Sequence, residues 1–168
     1  AAGNRIKITD ASTHATQYQY DNINRMTRET YADGKFRTFT LDAVGNVISR
    51  TDQIGQVTTY SYNDLGMMTM AQTKNLNSGA NIQTQFFEVN IDGTARLAKS
   101  VDELTGNVTD YSYSNKGILT QAVTKNPQGT LLRTDIFEIN VDGTARIATS
   151  TDHLTGNVTS YSYNNVGM

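Results

Sequence analysis

Cysteine and tryptophan are absent from this 168-residue chain, and proline occurs once, at Pro127. Without cysteine there is no disulfide framework, no thiolate zinc site, no iron–sulfur cluster and no thiol nucleophile. Charge is sparse too: 18% of residues are Asp, Glu, Lys or Arg, the net charge is −2, and neither sign forms a run. That distribution lacks the basic footprint that DNA, RNA or an anionic membrane requires. No apolar stretch approaches the roughly 18 residues of a membrane-spanning helix. The opening Ala1-Ala2-Gly3-Asn4-Arg5-Ile6 lacks the apolar core of a signal peptide. A Gly-x-Ser-x-Gly elbow and a Gly-rich phosphate loop are missing as well. The expectation is a chain that is not an enzyme, with no catalytic, cofactor-binding or metal residues, no nucleic-acid partner and no membrane insertion.

What is present is turn and strand chemistry. Thr, Asn, Ser, Gln and Gly are abundant, with nine Tyr and thirteen Gly. Thr and Tyr favour a pleated surface, while Asn, Asp and Gly favour turns. The main signal is internal repetition, which decides fold class before any local reading. Phe87 to Ile118 matches Phe137 to Met168 at a constant offset of 50 residues without a gap. This double repeat spans 87–136 and 137–168.

A shorter unit lies within it: an aromatic, any residue, an apolar or aromatic residue, then Asp, Asn or Ser, with Gly or Asn close behind. It starts at Tyr18, Phe39, Tyr60, Phe87, Tyr111, Phe137 and Tyr161, at spacings of 21, 21, 27, 24, 26 and 24 residues. Residues 1–17 form a partial repeat ahead of these. The pairs Tyr18/Tyr20, Phe39/Leu41, Tyr60/Tyr62, Tyr111/Tyr113 and Tyr161/Tyr163 have the two-residue period of one strand face. Asp21, Asp42, Asn63, Asn90, Asn140 and Asn164 come directly after the strands, where a short side-chain oxygen can accept a backbone N–H and cap the turn; Ser114 stands at the same place. Gly45, Gly66, Gly93, Gly117, Gly143 and Gly167 mark these turns, and Gly34, Gly55, Gly106 and Gly156 mark a second set between them. Two turns per unit imply two strands per unit. Hairpins laid side by side would align the rings into ladders, each cross-strand aromatic pair adding about 0.2–1 kcal/mol.

Tyr18 to Arg25 and Asp42-Ala43-Val44-Gly45-Asn46-Val47 resemble the YD signature of the Rhs repeat family, and the resemblance runs along essentially the whole chain. The units at Phe87 and Phe137 depart from it by reading Phe-Glu-(Val/Ile)-Asn, which predicts a break in the ladder. The resemblance implies an all-β fold of tandem β-hairpin repeats forming a continuous, coiled antiparallel sheet, as in the shells of insecticidal toxin complexes, bacterial Rhs toxins and teneurins. It also implies a scaffolding or encapsulating role. The chain reads as a piece of a longer array, since Ala1 to Ile6 matches the residues just after a YD pair, such as Ala43 to Ile48, and Tyr161 to Met168 has no strand after it.

Little else carries chemistry. His14 and His153 fall in variable segments, and His153 replaces the Glu103 of the preceding copy, so both read as surface residues. Asp33-Gly34, Asp92-Gly93 and Asp142-Gly143 lack the alternating ligands of a calcium loop and read as turns. Asn107-Val108-Thr109 and Asn157-Val158-Thr159 fit a glycosylation acceptor and equally a turn entering a strand. Met67, Met68 and Met70 read as irregular core filling.

Two functions are expected on these grounds. The first is a segment of a secreted or surface Rhs-type shell, on a bacterial cell or outside it, that encapsulates or delivers a C-terminal toxin. The second is an extracellular fibre built by end-to-end stacking, for adhesion or matrix. The partners would be further repeats of the same polypeptide or identical subunits at both open sheet edges, with an encapsulated effector in the first case. Carbohydrate binding by exposed Tyr and Asn is a third reading, which inward-facing rings would exclude.

Overall fold

The computed structural model describes residues 3–90 and 92–164. Among them fourteen strands form one sheet in which spatial order equals chain order, every neighbouring pair antiparallel. They are β1 (Lys7–Thr9), β2 (Ala15–Tyr20), β3 (Met26–Thr30), β4 (Phe36–Leu41), β5 (Val47–Thr51), β6 (Gln56–Tyr62) and β7 (Met68–Asn75), then β8 (Asn81–Val89), β9 (Ala95–Asp102), β10 (Val108–Tyr113), β11 (Leu119–Lys125), β12 (Leu131–Ile139), β13 (Ala145–Asp152) and β14 (Val158–Ser160). The all-β class and the continuous sheet of hairpin repeats are therefore as the sequence implies, and the sheet is open.

One turn design makes ten of the thirteen turns, and those after Asn75, Asp102 and Asp152 are one residue longer. Asp42 N–H donates to the Asn46 carbonyl (2.9 Å) and Gly45 N–H to the Asp42 carbonyl (3.3 Å), with Gly45 at φ +103°. This is a three-residue hairpin loop whose last position must be left-handed, so Gly or Asn is selected there. Asn24 takes the place at φ +68°, but in the β1–β2 turn a β-branched Thr13 does so at φ +67°, a strained choice. Thr13→Gly is expected to raise stability by about 0.5–1 kcal/mol, measured by urea denaturation; an unchanged midpoint would mean that turn is not formed.

The register contains a local source of twist. Register shifts recur at one place in each hairpin that turns after an aromatic strand, between Gln19/Tyr20, Thr40/Leu41, Ser61/Tyr62 and Ser112/Tyr113. Each shift leaves one residue of the next strand unpaired, which bends that strand and increases the right-handed twist. In the units at Phe87 and Phe137 the shift falls between Phe86/Phe87 and Ile136/Phe137, two residues farther from the turn. The Phe-Glu-(Val/Ile)-Asn variation thus goes with a displaced bulge.

The aromatic ladder does not form as expected. Register sets Tyr18 opposite Glu29, Phe39 opposite Arg50, Tyr60 opposite Ala71 and Tyr111 opposite Ala122. Tyr20, Tyr62, Tyr113, Phe87 and Phe137 oppose Met26, Met68, Leu119, Leu97 and Ile147. The reason is that the aromatic pair belongs to alternate strands, so its neighbours across the ladder are the aliphatic and small residues of the strands between. Rings pack on methylenes and on guanidinium groups instead of on other rings.

A second layer over the sheet is likewise missing among the described residues. Of these residues only Val57, Ala71, Ala122, Glu29 and Thr84 are buried, and none of their large side chains is fully enclosed. Ordinary domains bury a core between two layers, and this one has a wall's cross-section.

Candidate functional site: one tyrosine-bearing face and two open edges

The second tyrosine of each pair is fixed by its hydroxyl. Tyr20, Tyr62, Tyr113 and Tyr163 donate to the carbonyls of Arg5, Val47, Leu97 and Ile147, at 2.8, 2.8, 2.6 and 2.7 Å. Val47, Leu97 and Ile147 lie on the preceding strands β5, β9 and β13, and Arg5 lies just before β1, so the phenol ties neighbouring segments of the meander together. Burial pushes the Tyr62 phenol up, with the charges of Tyr60 and Asp42 adding to it. Burial does the same for Tyr113 against the opposing pull of Arg96. The groups stay neutral donors.

Guanidinium groups cover several rings, which the sequence reading misses. Arg96 and Arg146 sit 4.5 and 4.4 Å from the Tyr113 and Tyr163 ring centroids, and each donates through Nε to a carboxylate, Glu88 and Glu138, at 2.8 Å. The 50-residue offset common to all six residues was the available signal. Arg28 lies 3.8 Å over Phe36.

Three of the buried residues share one repeat position. Glu29, Ala71 and Ala122, at 8, 5 and 7% exposure, face Tyr18, Tyr60 and Tyr111 across the strand. A carboxylate is held there only because Arg37 Nε donates to it and Tyr31 Oη does so at 3.0 Å.

At the turns, Asp21 accepts the Ile23 and Arg25 N–H groups, Asp42 those of Val44, Gly45 and Asn46, and Asn63 those of Leu65 and Met67. Ser114 accepts those of Lys116 and Ile118. Asn90 accepts from Arg96 and Asn140 from its neighbour Val141, while Asp92 and Asp142 bind the Thr94 and Thr144 N–H and hydroxyl. Tyr161 to Asn164 come after β14 outside any assigned strand, and Gly167 lies outside the described residues. The glycines at 34, 45, 55, 66, 93, 106, 117, 143 and 156 all have positive φ.

On the opposite edge Asp52, Asn75, Asp102, Asn126 and Asp152 cap in the same way. Their signal, an Asp or Asn three or four residues before Gly, repeats the spacing already visible at Asp42.

These caps make the sheet acid-sensitive. Donation from the Arg25 backbone holds the Asp21 carboxyl below the usual range; the Thr94 and Thr144 hydroxyls do so for Asp92 and Asp142, and the Thr105 and Thr155 backbone for Asp102 and Asp152. At Asp42 burial pushes up, but bonds from Asn46, Gly45 and Val44 outweigh it. A carboxylate whose folded value is depressed contributes stability above its unfolded value, about pH 4, and that contribution is lost as pH falls through the folded value. Thermal midpoints should therefore hold above pH 5 and drop below about pH 4. Asp102→Asn with Asp152→Asn, which keeps an acceptor, should flatten the drop; an unchanged slope would contradict the capping role.

Among the described residues, no group of three His, Asp or Glu is placed to hold a metal. His14 Nδ1 lies 3.3 Å from Asp10, and His153 Nε2 pairs with Thr134 Oγ1 at 2.8 Å, where Glu103 bonds Thr84 in the preceding copy. Met68 faces Tyr62 and Met70 faces Phe86. Asn107 and Asn157 each close a turn through their carbonyl.

Comparison with known proteins gives one sequence match and several structural ones. The family profile described as RHS Repeat matches residues 1–35 and 42–75. No curated protein sequence matches. The Tc holotoxin pore of Photorhabdus luminescens aligns over 98% of this chain and 9% of its own, at 14% identity and TM-score 0.66. The TcdB2-TccC3 crystal structure aligns over 96% of this chain and 9% of its own, at 15% identity and TM-score 0.54. The chain thus spans about a tenth of the length of the structures it matches, and the likeness is one of fold.

Proposed function

We propose that this chain, a run of Rhs repeats, is a wall segment of a bacterial extracellular or surface shell that encloses and delivers a toxin or effector domain. The observation that carries the reading is the cross-section: among the described residues there is one sheet layer with two open faces. Such a sheet separates two volumes.

Exposed apolar turn tips support it. Ile23, Val44 and Leu65 project along one long edge, and Ile54, Leu104 and Leu154 along the other, all largely exposed. The tips on the first edge recur every second strand, about 10 Å apart, and those named on the other every fourth, about 20 Å apart. Apolar rows of this kind mark contact surfaces, and successive coils of one sheet would cover them. The TcdB2-TccC3 structure suits the same reading, because its likeness covers nearly the whole chain.

The test is to express this chain within its natural flanking sequence and to combine electron microscopy with limited proteolysis. Hollow closed particles that protect a C-terminal domain are expected. Solid rods, or a C-terminal domain cleaved as fast as in isolation, would reject the shell. Fibres would favour the second reading, end-to-end stacking.

A further inference from the structure

We infer that two copies of this sheet lie with their long edges together, the Asp64-Leu65 turn tip of one seated in a cleft beside Arg50 of the other. The inference rests on the wall-segment reading, whose apolar tips need a cover, and it names the cover of one of them. Both partners are turns between interior strands, so flanking repeats leave them in place.

Unpaired charge picks out the two surfaces. Among the described residues, which include all sixteen acids, the Asp64 carboxylate alone makes no hydrogen bond or ion pair. Leu65, next to it, is 80% exposed. The turn that carries them is braced by Asn63, whose Oδ1 accepts the Leu65 and Met67 N–H groups at 3.0 and 2.9 Å. A carboxylate and an apolar side chain are thus offered together at one tip.

The Arg50 guanidinium likewise has no acceptor among the described residues. It lines a cleft of about 310 Å³ between the β3–β4 and β5–β6 turns, with Tyr31, Arg37 and Ile54, and Ile54 is 69% exposed. Register puts Glu29 opposite both Tyr18 and Arg37, and Phe39, two residues on, opposite Arg50. Both guanidinium groups therefore lie on the tyrosine face. The acids nearby are already engaged: Asp52 Oδ1 accepts the Ile54 and Gln56 N–H groups, and Glu29 accepts Arg37 Nε. Arg50 is the charge left over, and its planar fork suits an incoming carboxylate.

These surfaces cannot meet within one copy. The Asp64 turn lies at one long edge and the cleft at the other, with the seven residues of β6, about 23 Å, between them. With the tyrosine faces of two copies on one side, their strands run in the same order, and seating Leu65 offsets the copies by two strands. Val44, 85% exposed and two strands before Leu65, then falls over the gap two strands before the first, lined by His14, Tyr31 and Ala32. One offset fills two gaps. Because each copy carries both a tip and a cleft, the contact is heterologous and repeats from copy to copy.

Charge exchange tests the pairing. In sedimentation velocity the unaltered chain should associate with concentration. Arg50→Glu and Asp64→Arg, both at exposed positions, should each raise the dissociation constant about tenfold or more, with unchanged far-ultraviolet circular dichroism. Mixing the two variants, or combining both changes in one chain, sets opposite charges together again and should restore association. Leu65→Ser should weaken it with every charge in place. Association that neither reversal weakens, or that the mixture fails to restore, would overturn the pairing. A chain that keeps its β spectrum yet stays monomeric at every concentration would overturn it too, while leaving the wall-segment reading in place. Loss of the β spectrum in the unaltered chain would sink both.

Discussion

Ala71→Glu is expected to destabilise the sheet by about 2–3 kcal/mol, although a glutamate, Glu29, stands at the same repeat position in β3. Ala71 is buried opposite Tyr60 on one side and Gln85 on the other. Glu29 occupies the corresponding place opposite Tyr18 but has Arg37 across the next strand and the Tyr31 hydroxyl beside it. A carboxylate at 71 would meet neither partner. Adding Gln85→Arg supplies a guanidinium where Arg37 stands relative to Glu29, and should recover about 1 kcal/mol as a coupling energy in a double-mutant cycle. Denaturant titration measures both effects. A neutral Ala71→Glu would mean that this face is wetter than the packing indicates.

The second large effect separates two glycines at one repeat position. Gly106 and Gly156 have φ of +73° and +74°, so alanine at either costs about 1–2 kcal/mol for the left-handed backbone. A Cβ at Gly106 would also lie 2.7 Å from Pro127 Cγ, in the neighbouring turn on the same edge, whereas nothing lies within 4 Å at Gly156. The proline ring cannot rotate away as a flexible side chain would. Gly106→Ala should therefore lose about 2–4 kcal/mol, the excess being overpacking, and Pro127→Ala should remove most of that excess. Amide exchange should rise locally, in β9 to β12, because a repeat array communicates stability mainly to its neighbours. Equal losses at both glycines would show that the two turns do not approach each other.

Strand placement was legible because it depends on local chemistry: the two-residue period of Tyr60 and Tyr62 and the left-handed turn at Gly66 sit within seven residues of sequence. Features that depend on register were not legible. That Tyr60 meets Ala71 instead of another ring follows from the aromatic pairs lying on alternate strands, and the shift at Phe86/Phe87 shows that a bulge can move by two residues inside otherwise similar units. The acceptors of the tyrosine hydroxyls are 15 or 16 residues away and are backbone carbonyls, which no side-chain pattern announces. The arginine clamps at Arg96 and Arg146 were readable in principle, since Glu88, Arg96 and Tyr113 recur together 50 residues later. The caps at Asp102 and Asp152 were readable too, through their spacing to Gly106 and Gly156.

A single uninterrupted meander underlies every one of these contacts, and interstrand Hα–Hα contacts in a nuclear Overhauser experiment on the labelled chain test it most directly. Intramolecular contacts are predicted between consecutive strands alone, with Tyr60 and Ala71 on facing backbone positions, and Tyr111 and Ala122 likewise. Contacts between interior strands that are not consecutive, such as β3 with β10, or helical connectivities across Val57 to Tyr62, would contradict it.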